Sequence, residues 1–486
     1  MSQPIQLIFG EPPNTVKTSV QSIDKACKRR SNAARYVRHP HWRHFPSILF
    51  TAVVLCILQL SPLYARELSL SAALERASTQ ATQLQRLQKQ HQLARATHTR
   101  SAQTFLPRIS ADSTWIRADA DALEHVPSLN LRAAQPGITT QDYGPVEGIV
   151  SGINIAQPLI HVEGWMSRSQ AEKAARARAS AAEWGAQVLK FKTVQGYFAI
   201  HVQDEVLQAA LQAYRAAQQA LKSATANYAQ GLVGKLDVTR ARAEDQSAQA
   251  RVFAAETELS NAKIELAALL GFKPLEPLKM TTPLPTPLPP ASYPLPRQQR
   301  ADIASGELMQ EAAAAGVDKA QARILPKLNL LARQQWVDGD AEFEDNGDAW
   351  LVGVNLEWNL FDGLDRVGEI SEARAHENLT RVENEEMLRT AKTQQHKSFN
   401  DWVASWKAWQ ASRTAVESAA TAAELATRRY SEGLGNLTDV LLTRAELFKH
   451  RVDTIRFQYN ALLAGMSYYL YHGYNPLQGV PNQVSE

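Results

Sequence analysis

Cysteine is almost missing from this chain of 486 residues: Cys27 and Cys56 are the only two. Both lie in the first 65 residues, so a chain that lost this stretch could form no disulfide, even in a compartment that permits one. Long apolar runs are scarce too. The run Ile48–Leu60 falls well short of the ~20 residues that a membrane-spanning helix needs. It follows a basic stretch with Lys28, Arg29, Arg30, Arg35, Arg38 and Arg43, and it precedes Ser61-Pro62-Leu63-Tyr64-Ala65. A basic flank, a short apolar core and a small residue at the cut describe a secretory signal peptide, with cleavage expected after Ala65. An uncleaved signal anchor is the alternative, which the length disfavours. Cys56 is a poor lipidation site, because Leu55 precedes it where a small residue would be expected.

The basic excess belongs mostly to that leader. Residues 1–65 hold eight Lys or Arg and two acids, so their removal turns a formal charge of +3 into −3. Nothing about nucleic acid follows from the basic pI. Catalytic signatures are missing as well: there is no paired-histidine zinc motif, no Gly-x-Ser-x-Gly elbow and no phosphate-binding loop. The twelve histidines are scattered, with His39, His41 and His44 in the leader. No enzyme activity, cofactor or metal site is expected.

Proline is absent from residues 159–273 and again from 327–475. Interior proline costs a helix about 3 kcal/mol, so two Pro-free tracts rich in Ala, Gln, Glu, Lys and Arg predict long helices. The first spans His161 to Ala229, on the order of 100 Å at 1.5 Å per residue. Ile200, Leu207, Tyr214, Leu221 and Tyr228 recur every seven residues along it, which argues for a coiled-coil seam with alanines permitting close approach. The helix stops at Gly231, and a return helix runs from about Leu236 to Leu270. The second tract repeats the plan: a helix from about Asp365 to Arg429, a stop at Gly433, a restart at Asn436 and a helix to about Tyr471.

The two tracts share wording as well as plan. Tyr228, Gly231, Leu232, Asp237, Val238, Arg242, Ala243 and Glu244 recur 202 residues later as Tyr430, Gly433, Leu434, Asp439, Val440, Arg444, Ala445 and Glu446. Such self-similarity means one structural half built twice.

Ahead of each long helix the period changes to two. Trp350, Val352, Val354, Leu356, Trp358 and Leu360 form one greasy face, alternating with Leu351, Gly353, Asn355, Glu357 and Asn359. That is a strand with one apolar face. From Trp350 to Trp358 it would extend roughly 26 Å at 3.3 Å per residue, the height of an outer-membrane barrel's apolar band of ~25 Å with its aromatic edges. Companion strands are predicted at Lys327–Trp336, Arg108–Arg117 and Gly148–Gln157. The loops between strands are polar and acid-bearing.

Nine prolines lie between Pro274 and Pro296, an extended semi-rigid connector. The chain therefore divides into a leader (1–65), a first repeat (66–273) of helix, two strands, long helix and return helix, the connector (274–298), a second repeat (299–473) and a tail (474–486). The fold class is α+β. Four strands cannot close a barrel, and a bilayer tolerates no open sheet edge. Two, three or four copies would give eight, twelve or sixteen strands.

Helix, Leu-Pro, strand, acidic loop, strand, long helix, Tyr-x-x-Gly-Leu, Asp-Val and return helix, twice over, resemble the TolC-type outer-membrane efflux proteins. Trp358-Asn359-Leu360-Phe361-Asp362-Gly363 and Leu269-Leu270-Gly271 are similar to that family's wording. The resemblance covers Arg66 to about Gly473. It implies a homotrimer with a twelve-stranded β-barrel in the outer membrane, its outer face against lipid, continued by a periplasmic α-helical tunnel. It also implies docking, through a periplasmic adaptor (membrane fusion protein), onto an inner-membrane RND, MFS or ABC transporter for efflux or type I secretion. A periplasmic coiled-coil scaffold or adhesin without a pore is the rival, and it predicts no lipid-facing strands.

By the same resemblance Gly231, Leu232, Gly433 and Leu434 are the adaptor-docking tips, although glycine also ends helices for purely conformational reasons. Asp439 falls where the family places a carboxylate ring at the periplasmic gate. Equally, Asn436 three residues before it makes Asp439 a helix-capping residue, and Asp237 shares that place. Tyr430 and Asp237 match a hydrogen-bonding pair that closes the gate, while Gly435 and Leu236 replace the polar partners of a second link. Leu442 stands where a second aspartate would be. Tyr228 is expected in the core, and Tyr430 is open between core and gate. Six methionines and no histidine cluster speak against a dedicated copper or silver duct.

Overall fold

Both Pro-free tracts are helical almost from end to end. The structure, a computed structural model, describes residues 66–118, 146–273, 278–290, 296, 298–339 and 347–481. The expected signal peptide and its cleavage point, the acidic inter-strand loops, parts of the connector and the last residues of the tail lie outside the described residues.

The first repeat comprises β1 (Arg66–Leu68), α1 (Leu70–Gln80), α2 (Thr82–Arg100), β2 (Arg108–Ala118), β3 (Val146–Ile160), α3 (Val162–Ala229) and α4 (Lys235–Leu270). After β4 (Leu278–Met280) the second repeat follows as α5 (Ala301–Ala322), β5 (Lys327–Gly339), β6 (Gly347–Glu357), α6 (Asp365–Ser431) and α7 (Leu437–Tyr471). The two long helices match in length, 68 residues for α3 and 67 for α6. At 1.5 Å per residue each extends about 100 Å.

Helix pairing follows a coiled-coil rule. In α4 the buried positions Ala241, Asp245, Ala248, Val252, Ala255 and Leu259 alternate steps of four and three, the spacing of a knobs-into-holes seam. The row predicted on α3 lies at the flank of its seam. Ile200 is buried, Leu207, Tyr214 and Leu221 are half-buried, and Tyr228 is exposed. The seam itself runs through Val202, Val206, Ala210, Ala217, Ala220 and Ala224. Seven-residue spacing sets the period, whereas the alanines that let helices approach closely set the phase.

The largest core lies midway along the helices. It gathers Leu70, Tyr197, Phe198, Leu266, Leu270 and Met466 with β1 and the start of the connector. Here β4 pairs in parallel with β1, Arg66 to Leu278 and Leu68 to Met280, so the connector's first turn is stitched to the start of the first repeat. Beyond it, Gln458 Nε2 donates to the Pro285 carbonyl at 3.2 Å.

The four longer strands form one antiparallel sheet in the order β2-β3-β5-β6. β3 and β5 join the two repeats along a ladder from Gly148–Gly339 to Ile160–Leu328, with a bulge at Pro158. β6 ends at Glu357, so Trp358 and Leu360 lie past the strand that was expected to include them. Its ladder stops because β5 begins only at Lys327, paired with Glu357, immediately after Pro326. The Trp358 indole instead donates to the Ile324 carbonyl at 3.0 Å. No helix among the described residues is long and apolar enough to cross a membrane.

Candidate functional site

Two places carry the features that a transport role would use: the pair of helix turns at one end of the chain and the four-stranded sheet at the other. The turns are chemical copies. Gly231 and Gly433 both sit at φ +75°, a left-handed conformation that costs glycine no steric penalty. The Leu232 amide donates to the Asn227 carbonyl at 2.9 Å, and the Leu434 amide donates to Arg429 at 2.8 Å. Both are six-to-one closures of the Schellman type. Each turn thereby presents one leucine to solvent, 70 % exposed at Leu232 and 69 % at Leu434.

The return helices start differently. Gly234 caps α4 with no side-chain bond, whereas Asn436 Oδ1 accepts from the Asp439 amide at 2.8 Å. Asn436 therefore performs the capping. The Asp439 carboxylate is left exposed in the first turn of α7, where the helix dipole favours negative charge. The Asp237 amide donates to the Gly234 carbonyl at 3.1 Å.

The expected Tyr430–Asp237 bond is not made within the chain, because the Tyr430 hydroxyl is buried and meets no hydrogen-bond partner. The core expectation for Tyr228 fails, and Tyr430, open between core and gate, takes a core place. Tyr430 packs against Ala220, Ala224, Ala241 and Leu437, while Tyr228, expected in the core, is 47 % exposed. Tyr430 finds α3 and α4 of its own chain beside it. A different bond joins the return helices at the tip, one that sequence reasoning did not find. Arg240 Nη1 donates to Thr438 Oγ1 at 2.9 Å.

One turn further in, Arg444 crosses between three helices. It donates to the Ala216 carbonyl of α3 at 2.7 Å and to Thr427 Oγ1 of α6 at 3.3 Å. Burial disfavours its charge and lowers its pKa. Beside it, α3, α6 and α7 frame a groove of about 650 Å³, floored by alanines and edged by Arg428, Arg444 and Arg451.

In the sheet, ladder partners point to the same side. One side carries Ile109 and Trp115 of β2, Ile153 and Ile155 of β3, Leu330 and Trp336 of β5, and Trp350 and Val354 of β6. The other side carries Asp112, Asn154 and Arg333, and here Asn154 donates to Asp112 while Arg333 pairs with the same carboxylate at 3.6 Å. One face is greasy and the other is polar and cross-linked, as the alternation in β6 predicted. Along the register, Trp115, Trp336 and Trp350 descend four residues over three strand steps. At 3.3 Å per residue and ~4.8 Å per strand, that diagonal lies about 40° from perpendicular to the strands. Strands of outer-membrane barrels tilt by 35–45°, so a tilt of that size would bring the three tryptophans to one level.

Where the sheet meets the helices, Lys327 holds Glu163 at 2.8 Å and His161 lies 3.9 Å from the same carboxylate. Burial, then the nearby Lys327 ammonium, lowers the His161 pKa. Burial alone would raise the Glu163 pKa, but its bond to Lys327 and the lysine's charge outweigh burial and lower it. Arg323 clamps the same junction through Glu369 and through Asp365 at 2.9 Å.

The family model described as "Outer membrane efflux protein" matches residues 73–272 and 293–468. This chain belongs to the outer membrane efflux protein family. Both repeats fall inside the match. Among solved structures, the Campylobacter jejuni CmeC outer membrane channel is similar in fold, with a TM-score of 0.72 and 17 % identity over 83 % of this chain and 85 % of that one. The Vibrio cholerae outer membrane protein VceC gives 0.70 and 19 % over 84 % and 96 %. The open state of the Neisseria gonorrhoeae MtrE outer membrane channel gives 0.67 and 17 % over 84 % and 89 %. Comparison with curated proteins returns no match. The efflux-family fold is thus a duplicated half of two strands and two long helices, as the doubled wording predicted.

Proposed function

We propose that three copies of this chain join their sheets into a twelve-stranded barrel in the outer membrane and continue it as an α-helical tunnel into the periplasm. The duct passes substrates delivered by an inner-membrane RND, MFS or ABC transporter through a periplasmic adaptor. One observation carries this: a four-stranded sheet with open edges at β2 and β6, a greasy face and tryptophans on a barrel's diagonal. Unpaired strand edges cost several kcal/mol per group in a bilayer, so other copies must pair with them. The polar face, with Asp112, Asn154 and Arg333, then lines the lumen.

Leu232 and Leu434 meet the adaptor at the tunnel's far tip, where their exposure favours contact with an apolar partner. Three Asp439 carboxylates ring the constriction, attract cations and bind divalent ions. Asn436 supports this assignment, because it supplies the cap and leaves the Asp439 carboxylate free to face a pore.

Purified protein in detergent and planar bilayers tests the duct. Heat-resistant trimers and discrete conductance are expected, with weaker cation preference and weaker divalent block for Asp439→Ala. A monomer without conductance would favour a pore-free scaffold. Adaptor docking is tested by cross-linking from Leu232→Cys and Leu434→Cys to the cognate adaptor, and absence of any adduct would remove it.

A further inference from the structure

On the polar side of the sheet, Arg333 of β5 reaches past a whole strand. Its own ladder partner on β3 is Asn154, and the ladder partner of Asp112 on β3 is Gly152. β2 and β5 are two strand spacings apart, about 9.6 Å, so Arg333 comes within 3.6 Å of the Asp112 carboxylate only by lying flat across β3. Gly152 is the residue it lies on. A Cβ added there would stand 3.6 Å from both Nε and Nη2 of Arg333 and 3.3 Å from the Gln334 carbonyl oxygen. A methyl group just fits, and the guanidinium fills the space that a longer side chain needs. Arg333 Nε is buried and meets no hydrogen-bond partner. Asn154 donates to the same Asp112 carboxylate, which fixes the acid against the wall.

Both charged side chains stay partly open to solvent, 40 % for Arg333 and 44 % for Asp112, and such an ion pair is weak by itself. The flat pose therefore depends on the missing side chain at position 152 as much as on the charge that it meets. Its height is defined too. Asp112 precedes Trp115 by three residues on β2, and Arg333 precedes Trp336 by three on β5, two strands that run the same way because both are antiparallel to β3. The tilt that levels the tryptophans thus brings acid and base to one level, roughly 10 Å along the strands from the tryptophan row.

We infer that Asp112, Gly152 and Arg333 form a charge-neutral belt inside the barrel, which keeps three arginines off the axis and lets cargo of either charge pass. This rests on the barrel of three copies proposed above and adds to it the residues that set the lumen's charge and clearance. Three acids and three bases alternate at this level and sum to zero, so selection by charge is left to the other end of the duct. Arg333 is the specificity-determining side chain, and Gly152 positions it. Lifted from the wall, three guanidinium groups would point into the lumen and favour anions, as rings of arginine do in pores.

The test uses the full chain in planar bilayers under a potassium chloride gradient, in an Asp439→Ala background so that the far constriction does not set the selectivity. Gly152→Leu changes no charge and pushes the guanidinium toward the axis, so a shift of the reversal potential toward chloride and a loss of single-channel conductance are expected. With Arg333→Gln present, the same leucine should cause no shift. Gly353→Leu is the control: it lies on the side that carries Arg333, and a Cβ there meets nothing within 4 Å, so no shift toward chloride is expected. Asp112→Asn gives a second reading that does not require the strand to accept leucine. Its shift toward chloride should be larger with Arg333 in place than with Arg333→Gln, the mark of coupled residues. Conducting trimers whose shifts are absent, or are the same with and without Arg333, overturn the belt and leave the duct standing. A wild-type chain without conductance overturns the duct and the belt together.

Discussion

The buried hydroxyl of Tyr197 donates to the carbonyl of Leu68 at 2.8 Å. The same oxygen accepts from the amides of Thr281 and Thr282 at 3.2 and 2.9 Å. One side chain on α3 thus satisfies backbone groups from β1 and from the connector, segments more than 200 residues apart in sequence. Tyr197→Phe keeps the ring and strips all three bonds. Buried and partly buried backbone groups left without partners cost about 1–3 kcal/mol each, so with three of them a loss of at least about 3 kcal/mol is expected in urea unfolding followed by tryptophan fluorescence. Unchanged stability would mean that the connector is not held there.

The two turns allow a matched comparison. A Cβ added at Gly231 or Gly433 meets nothing within 4 Å, so substitution with alanine costs only the left-handed conformation, about 1–2 kcal/mol. Gly231→Ala and Gly433→Ala should therefore destabilise equally in thermal melts. Asn at either place should recover part of the loss, because it tolerates this conformation better. Unequal losses would show that the tips differ in packing.

These turns were legible from sequence because their signals are local: a glycine, a leucine and a fixed interval. So were the long helices, written in the absence of proline, and the greasy face of β6, written in period two. What escaped the sequence depends on partners far along the chain. Trp358 leaves the strand because β5 starts at Lys327, and Tyr430 rather than Tyr228 is packed because Ala220 and Ala224 of α3 lie beside Tyr430. The Arg240–Thr438 bond joins residues 198 positions apart, beyond the reach of any local pattern.

Acid should loosen the junction of sheet and helix in two stages. His161 has a folded pKa below its ordinary 6.5, so its contribution is complete above that value and fades as pH falls through the lowered one. Glu163 is likewise lowered from 4.5, so its contribution is complete above 4.5 and fades at lower pH still. Melting temperature is expected to be level above about pH 6.5 and to fall below it. His161→Asn should remove the first stage and Lys327→Met most of the second. A wild-type profile level down to about pH 4 would contradict the first stage, and one still level well below that the second.

The faces of β6 give the sharpest test of membrane placement. Val354 lies on the greasy side opposite Leu330, four residues below Trp350 and four above Trp358, and Asn355 points to the polar side opposite Asn329. If the sheet closes into a barrel with its greasy side outward, Val354 sits near the middle of the bilayer. Arginine at that depth costs a barrel about 2–4 kcal/mol, whereas lumen positions tolerate charge. Val354→Arg should therefore lose that amount in urea titrations of protein refolded into lipid vesicles, while Asn355→Arg should stay within about 0.5 kcal/mol of wild type and shift the ion selectivity of the pore instead. The reverse ranking would turn the sheet inside out, and with it the assignment of Asp112, Asn154 and Arg333 to the lumen. Equal and small losses would remove β6 from the membrane altogether.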